Sequence, residues 1–177
     1  METPKPGTLK NVIFSNIVAA GAQQTCPIAG IPNHPIEHIT LDNIRFTFAG
    51  GGKKEHIDVQ VPELISEYPE AEMFGTLPAY GFYCRHVTDL KLQDISLAVS
   101  TPDLRHVLVC EDVNKLVVDS FDAEFSQGAA APLRFQVVTK ALIRGCMPSA
   151  AMETFIQVPK SQQDEIHLIG NVGNLLK

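Results

Sequence analysis

Val87-Thr-Asp-Leu90-Lys-Leu92-Gln-Asp94-Ile95 sets Val, Leu, Leu and Ile at strand-like spacing, and the chain repeats the pattern. It occurs earlier as Leu9-Lys-Asn-Val12-Ile-Phe14-Ser-Asn16-Ile17 and as Ile36-Glu-His-Ile39-Thr-Leu41-Asp-Asn43-Ile44. It returns as Val113-Asn-Lys-Leu116-Val-Val118-Asp-Ser120-Phe121, and more weakly as Val138-Thr-Lys-Ala141-Leu-Ile143-Arg-Gly145-Cys146. Between fourth positions the steps are 27, 51, 26 and 25 residues. A period near 26 with an alternating apolar core is the signature of a solenoid, whose repeats bury their apolar faces only by stacking on neighbours. The expected fold is all-β: a single β-helical domain over residues 1–177, of about five to six coils.

A second strand is expected ahead of each later repeat. Gly81-Phe-Tyr-Cys-Arg85 aligns with Val107-Leu-Val-Cys-Glu111 and with Pro132-Leu-Arg-Phe-Gln136. Side chains alternate across a strand, so Phe82, Leu108 and Leu133 share an inward column, and Cys84, Cys110 and Phe135 the next. Tyr83, Val109, Arg134, Arg85, Glu111 and Gln136 then face outward, with Arg85 beside Glu111 as an exposed ion pair. Cys84 and Cys110 lie in adjacent coils, either as buried thiols or as a disulfide. The polar residues Asn16, Asn43, Asp94 and Ser120, followed by Gly145, mark a bend at which side chains stack and satisfy backbone groups. Asp94 there is architectural.

The double step of 51 marks an inserted loop at about 46–80. Gly50-Gly-Gly-Lys-Lys54 lacks the Gly-x-x-x-x-Gly-Lys-Ser/Thr spacing of a phosphate loop, so it reads as a hairpin or loop. The rest of the excursion either lines a binding surface or caps one side of the solenoid. Beyond Cys146 the period fades into irregular terminal coils at about 147–177, with strands expected at 154–158 and 166–172 and a turn at 161–165.

Composition excludes several classes. The net charge is −6, which argues against nucleic acid, since phosphate binding needs a basic face. No apolar run reaches the roughly 20 residues of a membrane helix, so no membrane partner is expected. The four cysteines have neither Cys-x-x-Cys nor zinc-like spacing, so neither metal nor cofactor is expected. The opening Met1-Glu-Thr-Pro-Lys-Pro-Gly7 has no signal-peptide pattern. Localisation stays open.

Three stretches carry a resemblance to a known family: Gly7-Thr-Leu-Lys-Asn-Val-Ile-Phe-Ser-Asn-Ile17, Cys26-Pro-Ile-Ala-Gly-Ile-Pro-Asn-His-Pro-Ile-Glu-His-Ile39 and Tyr68-Pro-Glu-Ala-Glu-Met-Phe-Gly-Thr-Leu-Pro-Ala-Tyr-Gly-Phe-Tyr-Cys-Arg-His-Val87. Over about residues 7–123 the chain resembles the C-terminal half of glycoside hydrolase family 28, the polygalacturonase group with the pectin-lyase fold. The resemblance implies a right-handed parallel β-helix, pectic polysaccharide or oligogalacturonate as partner, and an inverting mechanism with two carboxyls. Members of this family are usually secreted or periplasmic. The family's Asn-Thr-Asp, Asp-Asp, Gly-His-Gly and Arg-Ile-Lys motifs do not occur here, so no catalytic residue carries over. The family order places those motifs ahead of Gly7. The chain therefore reads as an N-terminally truncated fragment, inactive alone and lacking the parent's N-terminal coils; the other reading is a stand-alone carbohydrate-binding or scaffold β-helix.

Among the residues present, Arg85 and His86 are the candidates for contacting a uronate carboxylate, because arginine binds it bidentately. Their architectural alternatives are Arg85 paired with Glu111 and His86 paired with Asp112. Weaker acid–base candidates are Glu67, Glu70 and Glu72 on the loop, and Asp103 beside Arg105 and His106.

Overall fold

The structure, a computed structural model, describes residues 6–70, 72–147, 152 and 154–172. The start of the chain before Pro6 and parts of the expected terminal coils (148–151, 153 and 173–177) lie outside the described residues.

Parallel stacking of the repeats yields a β-solenoid of about six turns. The strands are β1 (Lys10–Ala22), β2 (Cys26–Ala29), β3 (Ile36–Gly50), β4 (Ala79–Thr101), β5 (His106–Ala123), β6 (Leu133–Arg144), β7 (Ile156–Gln157) and β8 (Ile166–Ile169). Neighbours stack in the order β1-β3-β4-β5-β6-β7, with β2 on β4 and β8 on β6. The repeat alignment is the observed register: Val12, Ile39, Leu90, Leu116 and Ala141 form one column, and Phe14, Leu41, Leu92, Val118 and Ile143 another. From β3 inward these columns are fully buried. Each large apolar side chain stabilises the stack by about 1.5–3 kcal/mol relative to exposure. Cys84 and Cys110 are register partners, as predicted, and both are buried free thiols above Phe135. Burial raises the pKa of Cys110, so it behaves as a small hydrophobe.

The strands are long because each bends without breaking its ladder. The column Asn16, Asn43, Asp94, Ser120, Gly145 has φ between 50° and 64°, the left-handed conformation that turns the coil. Asn and Gly adopt it most readily, and Asn43 Nδ2 donates to Asn16 Oδ1 at 2.8 Å along the column. Two further left-handed columns are not evident in the sequence pattern. One runs Asn11, His38, Asp89, Lys115, Lys140; the other runs His86, Asp112, Val137. In the first, Asp89 accepts from His38 Nδ1 at 2.9 Å and pairs with Lys115 Nζ at 3.0 Å.

The insertion is shorter than its expected bounds. β3 continues through Phe46 and Phe48 to Gly50, and β4 begins at Ala79, leaving 51–78 as the excursion. Phe48 is buried against Tyr80, ring centroids 5.8 Å apart, which holds those residues in the sheet. At the far end, the strand expected at 154–158 narrows to β7 and the turn at 161–165 is a 3-10 helix over Lys160–Glu165.

Candidate functional site

Solvent was the sequence expectation for the outer face of the leading strands, but the inserted segment covers it. Tyr83 and Val109 are buried there with Leu77 and Ala79, and Val61 and Phe74 pack over them. Arg85, expected in an exposed pair with Glu111, is only 5% exposed and reaches into the segment instead. Its Nη1 and Nη2 donate to the carbonyls of Val61 and Pro62, both at 2.8 Å, and Nη1 lies 3.4 Å from Glu63. The guanidinium lies against the rings of Phe74 and Tyr83, 5.6 Å from each centroid, a contact worth about 0.5–2 kcal/mol per ring. Glu111 is taken by others: Tyr83 Oη donates to it at 2.6 Å and Arg134 Nη2 at 3.3 Å. Burial, then the bond to Glu111, raises the Tyr83 hydroxyl pKa far above its ordinary value. Arg134 also donates to the Ile57 carbonyl. The physical reason for the departure is desolvation. Once the segment covers this face, guanidiniums must be paired where they lie, and the segment's carbonyls are the acceptors within reach.

His86 follows the predicted pairing. Its Nδ1 lies 2.6 Å from Asp112 Oδ2, and its Nε2 lies 3.1 Å from Glu63 Oε2. Glu63 therefore joins the two sequence candidates, touching Arg85 with one oxygen and His86 with the other. His86 borders a small cleft of about 200 Å³ with Asn33, Asp112 and Asn114, whereas Arg85 is covered by the inserted segment.

The loop acids are divided rather than assembled. Glu67 and Glu70 border a groove of about 480 Å³ between the Pro27–Ile31 stretch and the segment, with Met73 and Phe74 as its apolar wall. Glu72 lies in a different cavity.

That second cavity, also about 480 Å³, is the more polar one. It forms where the tail of β1, the glycine turn after β3 and the inserted segment meet, and it exposes Gln23, Gln24, Glu72 and Thr76 beside Arg105 and His56. Asp103, whose side chain is fully buried, fixes Arg105: Nε donates to Oδ1 at 3.1 Å and Nη2 to Oδ2 at 2.8 Å. Arg105 Nη1 also donates to the Leu77 carbonyl at 3.2 Å. Burial pushes the Asp103 carboxyl up, but the bonds from Arg105 and from the Gly52 amide outweigh it and hold it below the usual range. Gly52 has no room for a side chain, since a Cβ would lie 2.1 Å from Arg105 Nε and 2.3 Å from Asp103 Oδ1. The glycine run is thus one wall of a cavity packed against an ion pair. The glycine run, Glu72 and the Asp103–Arg105 neighbours were the sequence signals for this place, though nothing in the sequence joined them. Gln23, Gln24 and Thr76 carry no motif, and chain topology alone brings them together.

His106, next to Arg105 in sequence, is buried and donates from Nδ1 to the Ala131 carbonyl. Burial lowers its pKa to about 4, with the charge of Arg134 adding to the effect against the Ala131 bond. A neutral, internally bonded imidazole and a depressed, ion-paired carboxyl do not form a general acid–base pair at neutral pH.

No protein-family model matches the chain, and no curated protein matches it by sequence. Among solved structures, it resembles a candidate glycosyl hydrolase from Parabacteroides merdae, with a TM-score of 0.55 and 10% identity over 97% of this chain and 84% of that one. At that identity the likeness is one of architecture: the chain is a parallel β-solenoid sharing its fold with that protein.

Proposed function

We propose that the chain carries C-terminal coils of a β-helix of the polygalacturonase-like type, acting on galacturonate-containing saccharides, and supplies scaffold and sugar contacts rather than hydrolysis. The observation that carries this reading is the stretch 68–87, the most specific part of the sequence resemblance. In the fold it docks the inserted segment, through Phe74, Leu77, Tyr83 and Arg85, onto the outer face of the leading strands. Repetition alone does not require such a stretch. Two carboxyls support the absence of hydrolysis: Asp103 and Asp89 are ion-paired and held below their ordinary range, whereas leaving-group protonation wants an acid raised above it. The expected outcome is no reducing-sugar release from polygalacturonate or rhamnogalacturonan. Turnover abolished by Glu63→Gln, Glu67→Gln or Glu70→Gln would overturn it.

The fold likeness favours a second reading, a stand-alone binding β-helix. The fold likeness spans 97% of this chain and 84% of the Parabacteroides chain, so most of that architecture is present here. Sedimentation separates the two: a monodisperse species over a hundredfold concentration range supports the stand-alone reading, and progressive association through the open first coil supports the other.

A further inference from the structure

We propose that the cavity between the Gly50–Gly52 turn and the inserted segment is a binding site for one acidic sugar ring, with Arg105 anchoring its carboxylate. The inference rests on the saccharide reading above and goes beyond it by assigning the place and the contacts.

The donor count at Arg105 is the first argument. A guanidinium carries five N–H bonds. Three are committed, one to each Asp103 oxygen and one to the Leu77 carbonyl. The remaining two, one on Nη1 and one on Nη2, belong to a side chain that lines the cavity, and guanidinium N–H groups are the donors suited to a carboxylate. Because Asp103 and Leu77 hold the fork, little side-chain freedom is lost when an anion arrives.

Composition of the walls is the second. Gln23, Gln24 and Thr76 offer amides and a hydroxyl, and Glu72, held by Gln24 Nε2 at 2.7 Å, offers carboxylate oxygens that accept from sugar hydroxyls. Among the described residues, the lining contains no Phe, Tyr or Trp on which the apolar face of a neutral sugar could stack. Recognition here has to come from charge and hydrogen bonds. About 480 Å³ admits a saccharide unit with its hydration.

Geometry of the frame is the third. The walls come from separate coils and are locked to one another: Thr25 donates to the Ala79 carbonyl, Gly52 N–H to Asp103 Oδ2 at 2.8 Å and Leu104 N–H to the Gly52 carbonyl at 2.9 Å. The cavity is therefore preformed.

The test is calorimetric titration of the whole chain with digalacturonate and with galactobiose, its uncharged counterpart, at low ionic strength. Arg105→Gln, which leaves Asp103 a hydrogen-bonding partner, is expected to weaken digalacturonate at least tenfold. Thr76→Trp, at an exposed wall position, is expected to abolish binding by filling the cavity, and it decides the matter alone if Arg105→Gln fails to fold. Equal affinity for galactobiose and digalacturonate would overturn the carboxylate anchor. Unchanged digalacturonate affinity in Thr76→Trp would overturn the site while leaving the saccharide reading intact, and a wild-type chain that binds neither sugar would overturn both.

Discussion

β1 and β4 carry the same repeat and meet different fates. Val12, Phe14 and Ile17 occupy the positions of Leu90, Leu92 and Ile95. The β4 residues have coils on both sides and are at most 1% exposed, whereas Phe14 is 49% and Ile17 36% exposed, because among the described residues β1 pairs only with β3. The lesson is that a solenoid repeat does not own its core. Its apolar residues contribute only what the neighbouring coil covers, so stability is concentrated in β4 and β5.

The sharpest way to break this comparison is to truncate the same repeat position in both coils. Leu92→Ala is expected to destabilise by about 2–5 kcal/mol, since it opens a closed site. Phe14→Ala, at a half-open one, should cost about 1–2 kcal/mol. Urea midpoints would check both, and equal losses would mean that β1 is covered in solution.

The closed coils should also be the acid-sensitive ones. With the pKa of His106 lowered to about 4 against an ordinary 6.5, the unfolded chain takes up the proton first. Stability is therefore unaffected above the ordinary value and falls as pH drops through that window, by about 3 kcal/mol at its foot. Loss of the Asp103 ion pair adds to this only below its ordinary value of 3.8. His106→Asn should flatten the slope of unfolding free energy between those pH values, and an unchanged slope would assign it to other groups.

A smaller effect tests the corners. Val137 continues the His86–Asp112 column at φ 55°, a conformation strained for a β-branched side chain, and is exposed. Val137→Asn is expected to raise stability by about 1 kcal/mol in thermal unfolding. The smallest effect on stability belongs at the open edge. Val18 is 79% exposed on β1, so Val18→Lys should leave stability within about 0.5 kcal/mol. It should nonetheless reduce concentration-dependent association in sedimentation, as a lysine on a bare edge does.

How much was legible follows from which interactions are local in the repeat. The solenoid, its register, the inward columns and the Asn16–Asn43 corner could all be read, since a period-two pattern fixes which side chains face in. The pairing of His86 with Asp112 was legible for the same reason. The other two left-handed columns were not, because His38, Lys115, Lys140 and Val137 are poor indicators of that conformation. The Arg85–Glu111 pairing failed although the register was right. Alternation says only that a residue leaves the core, not what then covers it.

By itself, the sequence determined the architecture: a repeated strand pattern with apolar columns leaves stacking as the way to remove those columns from water. Only the tertiary structure decided what the surface became. The inserted segment folds over Tyr83 and Val109, turns Arg85 and Arg134 into its anchors, and with the Gly50–Gly52 turn frames the cavity around Arg105. Those contacts join residues far apart in the chain, from Gln23 to Arg105, and no spacing rule encodes them. They follow from desolvation, which obliges each covered polar group to take whatever partner the fold brings near.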